Sequence, residues 1–297
     1  VIILAPGGIG NQLFAVATAL HLAEIRKIKI RIFSDNKELT DKFTQAKSDS
    51  EFAQSVSMVY SNKINLWINI WSSRAHNLSK KFQFAKNFIE QRFFTMQTPW
   101  KFPYELLNYE VKVPWVLRGF FQDPTLVENL SEKNIDLISK ILGLDSVEEI
   151  QKVMEDNYSI GVHIRRGDYY SISDYGTLAM SYFHEIISQI RTENSCLIIG
   201  SDDVEVLNAF ESSASDKLLF PNAHSPLDTM IQLAKVRSFI MSNSTYSFWI
   251  AWAVSLRGGS VFAPQPWFKT SNVPENYLYL ESFSKQISRF ESDDVKE

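Results

Sequence analysis

The sequence predicts an α/β protein built on parallel sheets, and three observations carry that expectation. After residue 158, short apolar runs alternate regularly with helical patterns. The amino terminus opens on a strand–helix–strand unit, and the strand at 158–164 ends in two adjacent arginines and a turn. Such alternation sets crossover helices against both faces of a parallel sheet. With 297 residues, 45% of them hydrophobic, the chain is long enough for one large or two ordinary domains. The break is expected near residue 156, giving domains at 1–155 and 156–297.

In order, Val1-Ile-Ile-Leu-Ala5 reads as a strand and Pro6 to Gly10 as a turn. Asn11 to about Glu24 is a helix with Leu13, Phe14, Ala17 and Leu20 on one face. Lys27 to Phe33 alternates as a second strand with one wet face. Residues 36–110 show no clear strand–helix rhythm and are expected to form an inserted, mostly helical and aromatic region. Val111 to Phe121 returns to strand character, Ser131 to Leu142 to a helix closed by Gly143, and Ser146-Val-Glu-Glu149 is a capping box. Strands are then expected at 158–164, 196–200, 217–220, 238–242 and 260–263. Helices are expected between them, near 179–192, 203–210, 226–236 and 246–255.

The strand Tyr158-Ser-Ile-Gly-Val-His163-Ile-Arg165 is the most informative segment. Its period of two sets Ile160, Val162 and Ile164 on one face and His163 and Arg165 on the other, before Arg166-Gly167-Asp168 turns away. Three more polar segments follow later strands: Gly200-Ser-Asp202-Asp203, Ser242-Asn243-Ser244-Thr245 and Pro264-Gln-Pro-Trp267. In a parallel sheet all four share the carboxyl edge, where open α/β sheets bind ligands. Singly, each has a plainer reading: an Arg pair bridged to Asp168, Asp202 as a helix N-cap, Ser244 or Thr245 as another. Together they read as a nucleotide site. Arg165 or Arg166 would meet a diphosphate, and Asn243-Ser244-Thr245 would place it at a helix N-terminus. Asp202 or Asp203 would accept from a base or ribose. No His/Cys cluster has ligand spacing, so the expected cation is arginine and no metal is needed.

Composition narrows the class further. The net charge of −4 argues against a nucleic-acid partner. The single Cys196, in an apolar run, forms no internal disulfide and reads as core, which fits a reducing, cytoplasmic setting. No run has the length of a transmembrane helix. Between Lys63 and Phe102, seven Lys/Arg stand against Glu90 alone, amid nine Trp and Phe. That region reads as a solvated helical subdomain, a sugar groove, or a peripheral contact with the inner membrane surface.

Five ordered motifs resemble those of the α-1,2-fucosyltransferases, which use GDP-fucose. They are Gly7-Gly-Ile-Gly-Asn-Gln-Leu-Phe14, Arg118-Gly-Phe-Phe-Gln122, His163-Ile-Arg-Arg-Gly-Asp-Tyr169, Ser201-Asp-Asp203 and Asn243-Ser-Thr-Tyr-Ser-Phe-Trp249. The chain departs from the family at Ala15-Val16-Ala17 and Tyr175-Gly176, and residues 36–110 match none of its motifs. The resemblance implies two Rossmann-like domains facing a cleft (GT-B type), and metal-free inversion at the fucose anomeric carbon. It implies donor binding by Gly8, Gly10, Asn11, Gln12, His163, Asp202, Asp203, Asn243, Ser244, Thr245 and Ser247. Arg165 would stabilise the leaving diphosphate, assisted by Arg166, with Asp168 near the reaction. Gln122 and Asp123 would lie on the acceptor side, with a galactose-containing oligosaccharide, free or lipid-linked, as acceptor.

Two rivals remain. Gly8-Ile-Gly10 followed by Asp35 imitates the dinucleotide fingerprint of a nicotinamide-dependent oxidoreductase, but Leu13 stands where the third glycine belongs. The other is a non-catalytic glycan- or membrane-binding protein acting through residues 63–102.

Overall fold

The structure, a computed structural model, describes residues 1–47, 52–61, 95–96, 102–144, 158–213, 217–219, 224–270 and 278–291. They form two compact units, Val1–Ile141 and Leu142–Glu297. The break was expected near 156; residues 145–157, with the helix expected from Ser146, lie outside the described residues. Gly143 already belongs with the second unit, since a Cβ there would stand 2.9 Å from Ile231.

In the first unit, β1 (Ile2–Leu4), α1 (Ile9–Arg26) and β2 (Ile30–Ser34) make the expected strand–helix–strand unit. β1 pairs with β2 in parallel register. α1 is buried on more than the one expected face: Leu13, Phe14, Ala15, Val16, Ala17 and Leu20 are all inaccessible. In β2 Ile30, Ile32 and Ser34 point in and Arg31 points out, the single wet face read from its alternation.

Residues 36–60 correct the sequence reading. They continue the strand–helix rhythm through α2 (Lys37–Lys47) and β3 (Val56–Tyr60), which pairs with β2. α2 buries Leu39, Phe43 and Ala46 at the spacing of one helical face, a stripe hidden among charges. β4 (Thr95–Met96) pairs with β5 (Val116–Arg118), completing a parallel sheet in the order β3-β2-β1-β5-β4. Of the rest of the expected helical, aromatic insertion, residues 62–94 and 97–101 lie outside the described residues, and Tyr104–Leu107 forms a 3-10 turn. β5 is shorter than expected, because Pro114 has no N–H for a ladder and Phe121 adopts φ +53. α3 (Pro124–Glu128) and α4 (Glu132–Ile141) close the unit.

The second unit contains β6 (Ser159–Ile164), α5 (Met180–Ile190), β7 (Cys196–Ser201), α6 (Val204–Ser213) and β8 (Lys217–Leu219). It continues with α7 (Pro226–Leu233), β9 (Ser238–Ile240), α8 (Thr245–Leu256), β10 (Ser260–Gln265) and β11 (Ser284–Ile287). Its six-stranded sheet runs β11-β10-β9-β6-β7-β8, and every pairing is parallel. β6 is central, with Ile160 to Ile164 all buried, and packs on Tyr182, Phe183 and Ile186 of α5. β11 was not read from the sequence. It is a mostly exposed edge strand, Ser-Lys-Gln-Ile, with no apolar alternation to announce it. Cys196 is only partly buried, at the start of β7.

Strand order decides where a ligand can sit. From β6 the chain winds one way to β7 and β8, then returns to the other side through β9, β10 and β11. The reversal lies between β6 and β9, so the loops leaving these neighbours, at Arg165 and at Ser242, stand at the switch point, where open α/β sheets bind ligands.

Candidate active site

The loop leaving β6 is built around two arginines with opposite fates. Arg165 keeps its side chain 31% exposed, with Nη1 2.7 Å from Asp202 Oδ2 and Nη2 2.6 Å from Asp168 Oδ1. Its guanidinium also lies over the Tyr169 ring, 5.4 Å from the centroid. The next side chain turns inward: Arg166 is 2% exposed and donates through Nη1 to Glu291, with its Nε buried and without a partner among the described residues. The plainer sequence reading bridged the Arg pair to Asp168; in the structure Arg165 makes that contact, and Arg166 is an interior anchor.

Asp202 braces the turn from β7. Its Oδ1 accepts the Arg166 N–H at 2.8 Å, while Oδ2 holds Arg165. That approach requires Gly167, which has φ +22 and whose Cβ, if present, would lie 2.4 Å from Asp202 Oδ2. Asp203 accepts the Glu205 N–H at 2.9 Å as the cap of α6, so the capping foreseen for Asp202 falls one residue later.

Across the switch point the loop after β9 meets the same turn. Tyr169 donates its hydroxyl to the Asn243 carbonyl at 3.0 Å, and burial pushes this phenol's pKa up. Asn243 is fully buried; its Nδ2 donates to the Tyr175 and Gly176 carbonyls, 3.1 Å each, and its Oδ1 has no partner among the described residues. Ser244 caps α8 by accepting the Ser247 N–H, and Thr245 is the first residue of that helix. Ser242, Ser247 and His163 form a buried polar cluster. His163 Nδ1 lies 2.6 Å from Ser247 Oγ and 3.1 Å from Ser242 Oγ, and its ring stacks on Tyr246 with centroids 4.7 Å apart. Burial, and then the Arg165 charge, push His163 down to about 3, so the imidazole is neutral at working pH. Its Nε2 has no partner among the described residues.

In the first unit the residues named by the resemblance lie at the start of α1 and in the turn after β5. Gly8 caps α1 through its backbone, and Gly10 is buried in the helix. Gln12, 1% exposed, donates to the Gly7 carbonyl at 2.9 Å and to Asp35 Oδ1 at 2.7 Å and accepts from Ser34. It pins the Gly7 turn to the end of β2. Asn11 Oδ1 accepts from Gln122 Nε2 at 2.8 Å, joining the turns after β1 and β5. Those strands flank this sheet's own order reversal. Asp123 caps α3 by accepting the Thr125 N–H at 3.0 Å. Burial and Asp123 push Tyr104 up to about 12.

Among the described residues no group of three or more His, Cys, Asp or Glu is gathered to hold a metal, and no helix is long and apolar enough to cross a membrane. The family model for glycosyl transferase family 11 matches residues 1–281. The chain belongs to this family. Its five sequence motifs thus mark a glycosyltransferase, and the resemblance to the α-1,2-fucosyltransferases holds at the level of family. The O-antigen biosynthesis glycosyltransferase WbnK of Escherichia coli is 26% identical, over 90% of this chain and 94% of its own. An alpha-1,2-colitosyltransferase of the same species is 28% identical over 55% of this chain and 61% of its own. Among solved structures, the fucosyltransferase NodZ from Bradyrhizobium covers 85% of this chain and 92% of its own, at 13% identity and a TM-score of 0.47. At that distance the likeness says nothing of ligand or activity.

The nicotinamide reading loses its basis in both respects. The Gly7–Gly10 turn belongs to a family 11 glycosyltransferase, and Asp35, the acidic residue of that fingerprint, is bonded to Gln12.

Proposed function

We propose that this glycosyltransferase moves L-fucose from GDP-fucose to a galactose hydroxyl of an oligosaccharide, forming an α-1,2 linkage with inversion. The observation that carries the reading is Arg165. It is a reachable guanidinium at the carboxyl end of the central strand, 2.7 Å from Asp202 and one aromatic ring from the Asn243 loop. A diphosphate placed there would exchange the exposed Asp168 carboxylate for its own oxygens.

In the transfer, the acceptor hydroxyl attacks the anomeric carbon opposite the β-linked GDP. The carbon–phosphate-oxygen bond breaks as the new glycosidic bond forms, and the hydroxyl proton passes to a base. Negative charge grows on the β-phosphate, where Arg165 is already oriented by two carboxylates and an aromatic face. His163, kept neutral, adds hydrogen bonding at the donor without competing positive charge. The charge on the leaving group is met by arginine, so turnover is proposed to be insensitive to EDTA. The Gln122–Asp123 segment is proposed for the acceptor, on the motif resemblance.

Arg165→Ala is expected to lower kcat by about 10²–10³, the size of one lost transition-state donor. The fucosylated product is read with labelled GDP-fucose and free galactosides. Near-full turnover in the variant would end the assignment, as would a thermal shift with NAD and none with GDP. A second donor is favoured by one observation, the colitosyltransferase relative. Competition between GDP-fucose and a colitosyl donor in the same product assay separates the two.

A further inference from the structure

The family match ends at residue 281, yet the chain after it returns to the arginine turn. Ser288 N–H donates to the Gln265 carbonyl at 2.8 Å, the Ala179 N–H to Arg289 at 2.6 Å, and the Glu291 N–H to Thr177 at 2.9 Å. Phe290 forms an antiparallel bridge with Leu178. Gly176, at φ +67, makes room for this segment, because a Cβ there would stand 2.9 Å from Phe290 Cδ1 and 2.7 Å from Lys269 Cβ. The strap thereby delivers Glu291 to the buried Arg166. One carboxylate oxygen accepts from Arg166 Nη1, and the other accepts from Thr177 Oγ1 at 3.0 Å.

A guanidinium with 2% exposure is tolerable only with a counter-ion, because an unpaired charge in that position has lost its water without replacement. Neighbouring side chains on the turn point oppositely, Arg166 inward and Arg165 outward, so whatever fixes the first also sets the direction of the second. Asp202 holds the Arg166 backbone, and Glu291 holds its side chain.

We infer that Glu291 is a positioning residue of the transfer site, acting through Arg166 on the aim of Arg165. The inference rests on Arg165 being the diphosphate ligand. Glu291→Gln in the full chain is expected to lower kcat by about 10- to 100-fold, the usual result of misplacing a catalytic group by an ångström. Acceptor KM should stay unchanged, as should the circular dichroism spectrum at the assay temperature. The deciding readout is epistasis: in an Arg165→Ala background, Glu291→Gln should lower kcat no further. A merely structural role would lower turnover in both backgrounds, and that result would overturn the inference. So would full turnover of Glu291→Gln beside a crippled Arg165→Ala. Full turnover of Arg165→Ala would instead remove the reading beneath it. If Glu291→Gln melts below the assay temperature, Glu291→Asp, which keeps the charge and shortens its reach, goes through the same cycle under the same criteria.

Discussion

His163 offers a test of the site that needs no substrate. Its pKa is lowered from 6.5 to about 3, first by burial and then by Arg165, so the native imidazole stays neutral at pH values where the unfolded chain takes up a proton. Below pH 6.5 the unfolded state binds more protons than the native state, and stability falls with pH by up to about 1.4 kcal/mol per unit until the native pKa is reached. Integrated from pH 7 to pH 5, this single group removes about 2 kcal/mol. Above pH 7 it changes nothing. His163→Gln does not titrate, so its stability should fall by about 2 kcal/mol less over that window, whatever the substitution costs at pH 7. His21, also lowered by burial, is common to both proteins and cancels in the comparison. The assay is urea unfolding at pH 5, 6 and 7, read by hydrogen exchange of the β6 peptide, which reports on the unit housing His163. Parallel loss in wild type and variant would refute a buried neutral imidazole beside Arg165.

Gly167→Ala would place a Cβ 2.4 Å from Asp202 Oδ2 at φ +22, and is expected to lower unfolding free energy by about 1–3 kcal/mol; undiminished stability would mean that Asp202 does not brace the turn. Asp168→Asn removes the 59%-exposed partner of Arg165 and is expected to cost at most about 1 kcal/mol of stability while leaving GDP affinity undiminished. Loss of an acid limb from its pH–rate profile would instead make Asp168 the general base. Asp203→Ala should lose a helix cap, about 1 kcal/mol, and keep its GDP affinity, which calorimetry checks.

What the sequence revealed and what it hid follow from the range of each interaction. β6 and its arginines were readable because the signal is local: alternation, then charge, then glycine. The rhythm of 36–60 was missed because α2 buries only Leu39, Thr40, Phe43 and Ala46. The edge strand β11 carries no period at all. Within the site, strand register brought His163 opposite Gly200 and Ile164 opposite Ser201, which placed the Asp202 loop beside Arg165 as the motif order implied. The division between Arg165 and Arg166 was not readable, because it depends on a carboxylate 125 residues further along. The hydrogen bonds of Gln12 to the Gly7 turn and of Asp203 to the α6 N-terminus were not readable either, because a motif position does not name a side chain's partners.

The two arginines show why an adjacent pair serves this chemistry better than one. A guanidinium that must greet a diphosphate has to be exposed enough to be reached, and an exposed long side chain is not held in place by packing. Arg165 solves only half of this: Asp168 gives it a weak, solvent-screened partner that a diphosphate can displace, and the Tyr169 ring limits its sweep. The stiffness comes from its neighbour. Arg166 is sunk into the unit with Glu291, its N–H is tied to Asp202, and that carboxylate reaches across to Arg165. The energy of a buried pair is thus spent on geometry rather than stability, since its desolvation offsets much of its attraction. Replacing Arg166 by an apolar residue of similar volume need not unfold the protein, but it would leave Arg165 on a turn with one anchor in place of two.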